Sequence, residues 1–270
     1  MKVVAAFDSF KGSLTSRGAG EAAAAGVRAA VPGAEVTVVG VADGGEGLVD
    51  ALLVADGSRE VVVDAVDPFG RPLRAGYAVL RDGTAVVEAA RTTGLDLVGP
   101  VDTSVPLRAS SYGLGLQLAA ALASGAPRVL VGLGGSATTD GGTGFLRALG
   151  ARLALDGTGT GSQNLLPYVV GVDTLPDLSR VEVLTDVTSP LLGPTGAARM
   201  FGPQKGADEA QVELLEASMT RWVRSLAAAS GHPVVEVTQT PGSGAAGGLG
   251  AALLACGARL VPGFARVAEL

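Results

Sequence analysis

Val129-Leu130-Val131-Gly132-Leu133-Gly134-Gly135-Ser136-Ala137-Thr138-Thr139-Asp140-Gly141-Gly142-Thr143-Gly144-Phe145, running on to Gly150, sets the reading of the chain. An apolar run, Val129–Val131, breaks into a loop carrying Gly132, Gly134, Gly135, Gly141, Gly142 and Gly144, with Ser136, Thr138, Thr139 and Asp140 between them. An amphipathic segment, Phe145 to Leu149, follows. The format is strand, glycine-rich loop, helix. Such a loop can bring backbone N–H groups to a phosphate at a helix N-terminus, where the dipole favours an anion. The added carboxylate suits a nucleotide bound with a metal ion. Glycines that only make tight turns would give the same string, and at this level both readings stand.

The bulk properties bound what surrounds the loop. The chain has 270 residues, enough for one large domain or two and for a sizeable core. It is 47% hydrophobic and 17% charged, which is globular rather than disordered. The net charge of −6, with no Lys/Arg cluster to offset it, argues against a nucleic-acid surface. One cysteine, Cys256, excludes an intramolecular disulfide and fits a reducing cytosol; its apolar run, Ala251–Cys256, reads as core. Met1–Phe7 is too short for a signal-peptide core. The uncharged runs 109–127 and 237–258 are interrupted by Gly, Pro, Ser or Gln and read as non-membrane. Only three of the 20 basic residues are lysines, and Lys11 and Lys205 both sit in Lys-Gly turns, where a compact, flexible ammonium is suggestive of a site.

Around the loop the chain opens as β-α-β-α. Strands are predicted at Val3–Phe7 and Val36–Val39. Helices are predicted from Leu14 to Ala30, with Thr15 or Ser16 as N-cap, and from Leu48 to Ala55. From about residue 60 the pattern turns to a β-rich meander, Arg59–Val66, Arg74–Leu80 and Ala85–Glu88, which marks a domain boundary. Helices at Ser110–Ser124 and Glu209–Ala229 (capped by Asp208), strands at Val181–Leu184 and Val234–Val237, and an apolar helix at Ala251–Ala255 complete the outline. Residues 156–164 form a polar loop.

Asp8, Asp43, Glu88, Asp140 and Asp186 each lie at or just past the end of an apolar strand. In open α/β sheets that edge is the ligand crevice; the same acids are also ordinary caps and turn residues. His232 is the single histidine and sits in a turn, which disfavours a Ser-His-Asp triad or a His-rich metal site. No Gly-x-x-x-x-Gly-Lys-Ser/Thr run is present. Gly242-Ser243-Gly244-Ala245-Ala246-Gly247 fits G-x-G-x-x-G after an expected strand, which keeps a dinucleotide-binding oxidoreductase as a weaker alternative.

Gly132-Leu133-Gly134-Gly135-Ser136-Ala137 resembles the G-L-G-S-S-A phosphate loop of kinases of the galactokinase and homoserine kinase type. A wider set of motifs resembles the type-I bacterial glycerate kinases. These are Asp8-Ser9-Phe10-Lys11-Gly12-Ser13-Leu14, Ala42-Asp43-Gly44-Gly45-Glu46-Gly47, Ser110-Ser111-Tyr112-Gly113, Gly132 to Gly142, Asp186-Val187-Thr188-Ser189-Pro190-Leu191, Phe201-Gly202-Pro203-Gln204-Lys205-Gly206-Ala207 and Pro241 to Gly250. They run in family order over nearly the whole chain. Thr139 and Ser189 stand where that family usually has Asn.

The resemblance implies two α/β domains. Residues 1–62 with 265–270 would be part of a split Rossmann-like parallel-sheet domain, incomplete here. Residues 63–264 would be a larger inserted mixed α/β domain. Members of that family continue beyond the region of residue 265, so a non-catalytic or partner-dependent fragment is the alternative to an active enzyme. The implied reaction is transfer of the γ-phosphoryl group of ATP, with Mg²⁺, to D-glycerate, giving 2-phosphoglycerate. By the same resemblance Asp43, Asp186 and Lys11 are catalytic candidates, and Ser9, Arg91 and Lys205 bind substrate. Gly134, Gly135, Ser136, Gly244 and Gly247 meet phosphates, and Asp140 and Asp186 hold the metal. The expected partner is the small acid alone, with no nucleic acid or membrane and a possible homodimer, in the cytoplasm.

Overall fold

The computed structural model describes residues 1–10, 13–54, 57–156 and 164–270. In chain order the elements are β1 (Lys2–Phe7), α1 (Ser16–Ala30), β2 (Glu35–Gly40), α2 (Leu48–Leu52), β3 (Arg59–Val66), β4 (Pro72–Val79) and β5 (Ala85–Glu88). Then come α3 (Ala90–Thr93), α4 (Tyr112–Ala123), β6 (Val129–Gly132), α5 (Thr143–Ala148), β7 (Leu153–Leu155), β8 (Val169–Val172) and β9 (Val181–Leu184). The last are α6 (Ala197–Phe201), α7 (Glu209–Ser230), α8 (Val234–Gln239), α9 (Ala245–Ala255), β10 (Arg259–Val261) and α10 (Gly263–Val267).

A six-stranded sheet, ordered β10-β9-β6-β5-β4-β3, organises the chain. Neighbours from β10 to β5 pair parallel; β5–β4 and β4–β3 pair antiparallel. The two central strands, β5 and β6, are buried at every position because both faces are covered. Val87, Val129, Val131, Val181 and Val183 face one core with Leu114 and Leu118 of α4, Phe145 and Leu146 of α5, Trp222 of α7 and Leu249 and Leu253 of α9. Ala78, Val86, Leu130 and Leu184 face the other way, onto Leu48 and Val49 of α2, with Val267 of α10 packed alongside. The result is a helix–sheet–helix sandwich. β1 and β2 form a separate parallel pair with α1 on one face. Their other face is open: Val4 and Val39 are exposed. β7 and β8 make an antiparallel hairpin.

This is the expected α/β class with parallel and mixed sheets, and local signals place many of its ends. Thr15 caps α1, accepting from the Gly18 N–H at 3.1 Å. Asp208 and Gln211 close a capping box on α7.

Three expectations change. The boundary at residue 62 falls inside β3, which pairs with β4 over its full length, so the two sheets part before Arg59. The segment 265–270 does not join β1 and β2; α10 lies against β9, with Arg266 bonded to Glu182 at 2.8 Å. Val234–Val237 is not a strand but the start of α8, packed between α7 and α9. Pro233 pre-sets the first turn, and tertiary packing overrides the β-branched composition. The Gly242–Gly247 run therefore follows a helix, which removes the strand that a dinucleotide fingerprint requires.

Leu130 lies on the central strand β6 and is fully buried under α2. Leu130→Ala is expected to cost about 2–5 kcal/mol, read as a lowered denaturant midpoint with unchanged m-value.

Candidate active site

Three loops leave strand ends on one side of the molecule and touch backbone to backbone. A Cβ on Gly134 would lie 2.4 Å from Gly45 Cα, and one on Gly132 would lie 2.3 Å from the Gly44 carbonyl oxygen. A Cβ on Gly44 would meet the Leu184 side chain at 2.8 Å. Glycine is required here by contact, not by turn geometry alone. The junction walls a cleft of about 360 Å³ whose lining includes Asp8, Asp43, Asp186, Ser136, Lys205 and Ala246. A second, open cavity of about 1270 Å³ lies between α1, β2 and the Glu88–Leu97 segment. The two share Ser9, Glu46 and Gly135.

The five strand-end acids separate into two groups. Asp8, Asp43 and Asp186 reach the cleft. Asp43 Oδ1 accepts the Gly45 N–H at 2.8 Å, and Asp8 Oδ1 accepts the Ser9 N–H at 2.6 Å. Asp186 caps α10: Oδ1 accepts from Gly263 N–H and Oδ2 from Phe264 N–H, both at 3.0 Å. Glu88 instead is buried and caps α2, accepting from Gly47 N–H at 2.9 Å and Val49 N–H at 3.0 Å. Its burial raises its pKa above the usual carboxylate range, against those two bonds and the nearby Arg91.

Asp140 is fully buried and does not line the cleft. Its Oδ1 accepts from Gly142 N–H at 3.0 Å; its Oδ2 accepts from Ser111 N–H and Oγ–H at 2.8 Å and from Gly144 N–H at 3.1 Å. The start of α5 is thus occupied by the chain's own anion. Burial raises the Asp140 pKa, opposed by these bonds. The placement runs against the expectation of a metal ligand there: four donors consume the carboxylate inside the core.

The rest of the loop is tied down carbonyl by carbonyl. Lys205 Nζ donates to Thr138 O at 2.6 Å, Asn164 Nδ2 to Thr139 O at 3.2 Å and Trp222 Nε1 to Gly141 O at 2.8 Å. Only its first part offers open donors to the cleft. The N–H groups of Gly135 and Ser136 have no acceptor among the described residues. Ser136 Oγ stays within the loop, 2.9 Å from Thr138 Oγ1.

The remaining candidates scatter. Ser9 borders both cavities, its Oγ donating to Glu46 O at 3.4 Å. Arg91 lines the larger cavity and is committed to Glu60 at 2.7 Å and Asp50 at 2.5 Å, which runs against a role in holding substrate in the cleft. Gly244 and Gly247 are packed against Pro190 O and Thr138 O, where a Cβ would come within 2.2 and 2.1 Å. Ala245 and Ala246, not they, face the cleft. Lys11 lies outside the described residues. Sequence reasoning missed Asn164, left in a polar loop. It also missed the role of Ser111, although the Ser-Ser-Tyr-Gly run signalled the place.

The Glycerate kinase family profile matches residues 3–270. A glycerate kinase of Bacillus subtilis (strain 168) is 42% identical over 94% of this chain and 68% of its own length. A glycerate 2-kinase of Escherichia coli (strain K12) is 41% identical over 98% of this chain and 71% of its own. A crystal structure of a glycerate kinase 2 from Salmonella typhimurium LT2 superposes with a TM-score of 0.82 at 39% identity, covering 100% of this chain and 73% of that one.

Asp140→Ala strands the donors of Ser111, Gly142 and Gly144 in the core. It is expected to cost about 3 kcal/mol or more, measured by urea unfolding, with loss of amide exchange protection at Gly142 and Gly144.

Proposed function

The chain belongs to the glycerate kinase family and is a kinase, and we propose that it transfers the terminal phosphoryl group of ATP to a hydroxyl of D-glycerate, giving 2-phosphoglycerate. The observation that carries this reading is the cleft itself: open amides of Gly135 and Ser136, the buried cation Lys205 and the carboxylates Asp8, Asp43 and Asp186 line one space beside a cavity of nucleotide size. Phosphoryl transfer asks a protein for alignment and charge neutralisation rather than covalent chemistry.

The nucleoside is assigned to the larger cavity, whose walls include Leu14, Val38, Leu95 and Leu97. Its phosphates then cross the shared border at Gly135, where the unpaired amides meet the transferring group. Among the described residues no three His, Cys, Asp or Glu side chains form a metal-holding group. That fits Mg²⁺ held mostly by phosphate oxygens with one or two carboxylates. Asp186 would hold it, and it would neutralise charge on the phosphates. Asp43 Oδ2 has no hydrogen bond among the described residues and is the better placed base for the acceptor hydroxyl. Asp186, with both oxygens on α10, is better suited to a fixed ligand.

The open face of β1 and β2 supports one other reading, a fragment that needs a partner before it turns over. A coupled assay with ATP, Mg²⁺ and D-glycerate separates the two. Turnover by the isolated chain is expected, and Asp43→Asn should lower kcat about 10²–10⁴-fold with an unchanged unfolding midpoint.

A further inference from the structure

The loop 43–47 carries Asp43, yet it has little of its own to hold that residue in place. Gly44, Gly45 and Gly47 belong to it, with Gly44 at φ 94° and Gly47 at φ 87°. Glycine brings no side chain to pack and the widest backbone freedom. The position of the loop is therefore set from outside it. Apart from the helix α2 that continues the loop, three residues hydrogen-bond to it among the described residues. Gly134 N–H donates to Gly44 O at 3.3 Å, and Ser9 Oγ–H donates to Glu46 O at 3.4 Å. The third is Glu88, whose bond is the shortest: Oε1 accepts from Gly47 N–H at 2.9 Å, while Oε2 accepts from Val49 N–H at 3.0 Å.

Glu88 is itself fixed by the core. It is the last residue of β5, in register with Gly132 of β6, and is 3% exposed. Both of its oxygens accept, a pattern that fits the ionised form, and charge-assisted bonds are the stronger ones. The charged groups around it are Arg91 of α3, with Nε 3.8 Å from Oε2, and the two acids that Arg91 pairs with, Asp50 of α2 and Glu60 of β3. Arg91 thereby ties the first turn of α2 to the sheet beside Glu88. From the Glu88 carboxylate the chain runs back through Gly47, Glu46 and Gly45 to Asp43, whose Oδ1 accepts the Gly45 N–H at 2.8 Å. Gly45 is buried, and its Cα lies where a Cβ on Gly134 would come within 2.4 Å. Glu88 borders the larger cavity but not the cleft that Asp43 lines.

We propose that Glu88 is a positioning residue for phosphoryl transfer: acting through Gly47, it sets where the Asp43 carboxylate stands in the cleft. The proposal rests on the reading of Asp43 as the base and adds what holds that base in line. Proton transfer needs the base within hydrogen-bond reach of the acceptor hydroxyl, and small displacements of a reacting group are costly. A loop of glycines pressed backbone to backbone against Gly132 and Gly134 can slide, because nothing interdigitates. A charged anchor at one end removes that freedom. Glu88→Gln keeps the shape of the side chain but puts an amide N–H₂ in place of one acceptor oxygen. One of the two backbone N–H groups then meets a donor, and the loop is loosened while Asp43 itself is unchanged.

The test is steady-state kinetics of Glu88→Gln, alone and combined with Asp43→Asn. Alone it should lower kcat about 10²-fold, with KM for ATP and for D-glycerate within about twofold. Combined with Asp43→Asn it should cost less than about threefold more, because the base it positions is gone. A full further loss in that background would overturn the proposal. So would a rise in KM for ATP with kcat kept, which would make Glu88 a nucleotide contact. Amide hydrogen exchange adds a readout that a plain helix cap would not move. Glu88→Gln should speed exchange at Gly45, whose N–H is bonded to Asp43 and not to Glu88, as well as at Gly47 and Val49; release confined to Gly47 and Val49 refutes the proposal. If Asp43→Asn turns over at the wild-type rate, the base assignment fails and the proposal with it. If Asp43→Asn is impaired and Glu88→Gln is not, the proposal alone fails. If the wild type does not phosphorylate D-glycerate, the reaction assignment fails, and exchange at Gly45 still decides whether Glu88 sets the loop. If Glu88→Gln does not fold, native-state exchange of the wild type decides: Gly45 and Gly47 should open as one unit with one free energy, and opening of Gly45 ahead of Gly47 counts against the proposal.

Discussion

One buried carboxylate fixes the geometry on which the molecule depends. Asp140 receives four hydrogen bonds from the starts of α4 and α5. Two helix N-termini, each carrying partial positive charge, are held by one negative charge in the middle of the core. Charge-assisted bonds to a buried group are strong, and here they set the spacing of α4, α5 and the loop after β6 at once. Ser111 Oγ extends the link by accepting the Phe145 N–H at 2.9 Å. The loop that walls the cleft is therefore an extension of the core.

That arrangement explains why similar sequence formats have different fates. Asp43, Asp140 and Glu88 all follow apolar strands. What separates them is what folds over the strand end. Helices α4 and α5 close over Asp140, and α2 closes over Glu88, so each carboxylate is consumed by the N–H groups that bury it. Asp43 and Asp186 sit where two glycine loops meet edge to edge, a contact too thin to enclose them. Burial pushes the pKa of Glu88 and of Asp140 upward, and the N–H bonds that each carboxylate accepts oppose that shift by favouring the ionised form.

Much of this was legible in the chain. The α/β class, the caps at Thr15 and Asp208 and the family resemblance all follow from periodicity, turn residues and motif order. The misreadings have physical causes. Val234–Val237 has strand composition, but it packs against the helices α7 and α9 and winds into a helix between them. Gly244 and Gly247 read as phosphate contacts; they are glycine because backbone presses on them from Pro190 and Thr138. The left-handed backbone of Ala246, at φ 50°, was invisible, since nothing in a run of Gly and Ala tells which residue carries the unfavourable φ. Asn164, in a segment with no core content, holds two distant carbonyls, Pro106 O and Thr139 O, a long-range role that local pattern cannot encode.

The loop after β6 joins these points into one constraint. Thr138, Thr139 and Gly141 offer their carbonyls to Lys205, Asn164 and Trp222, which come from three separate parts of the chain. Gly141 N–H in turn donates to Gly247 O at 3.0 Å, binding the loop to the strained start of α9. Each bond orients the loop from the core side and leaves its outer edge, Gly135 and Ser136, to face the cleft. Groups that share a network do not contribute additively. Stability and site geometry are accordingly inseparable here: loosening Trp222 or Asn164 lets Thr138 move, and with it the one oxygen that positions both Lys205 and Gly247. A rigid element at the edge of a sheet is what a reaction governed by alignment needs. In this chain much of that rigidity comes from Asp140, Asn164 and Trp222, buried residues that do not line the cleft.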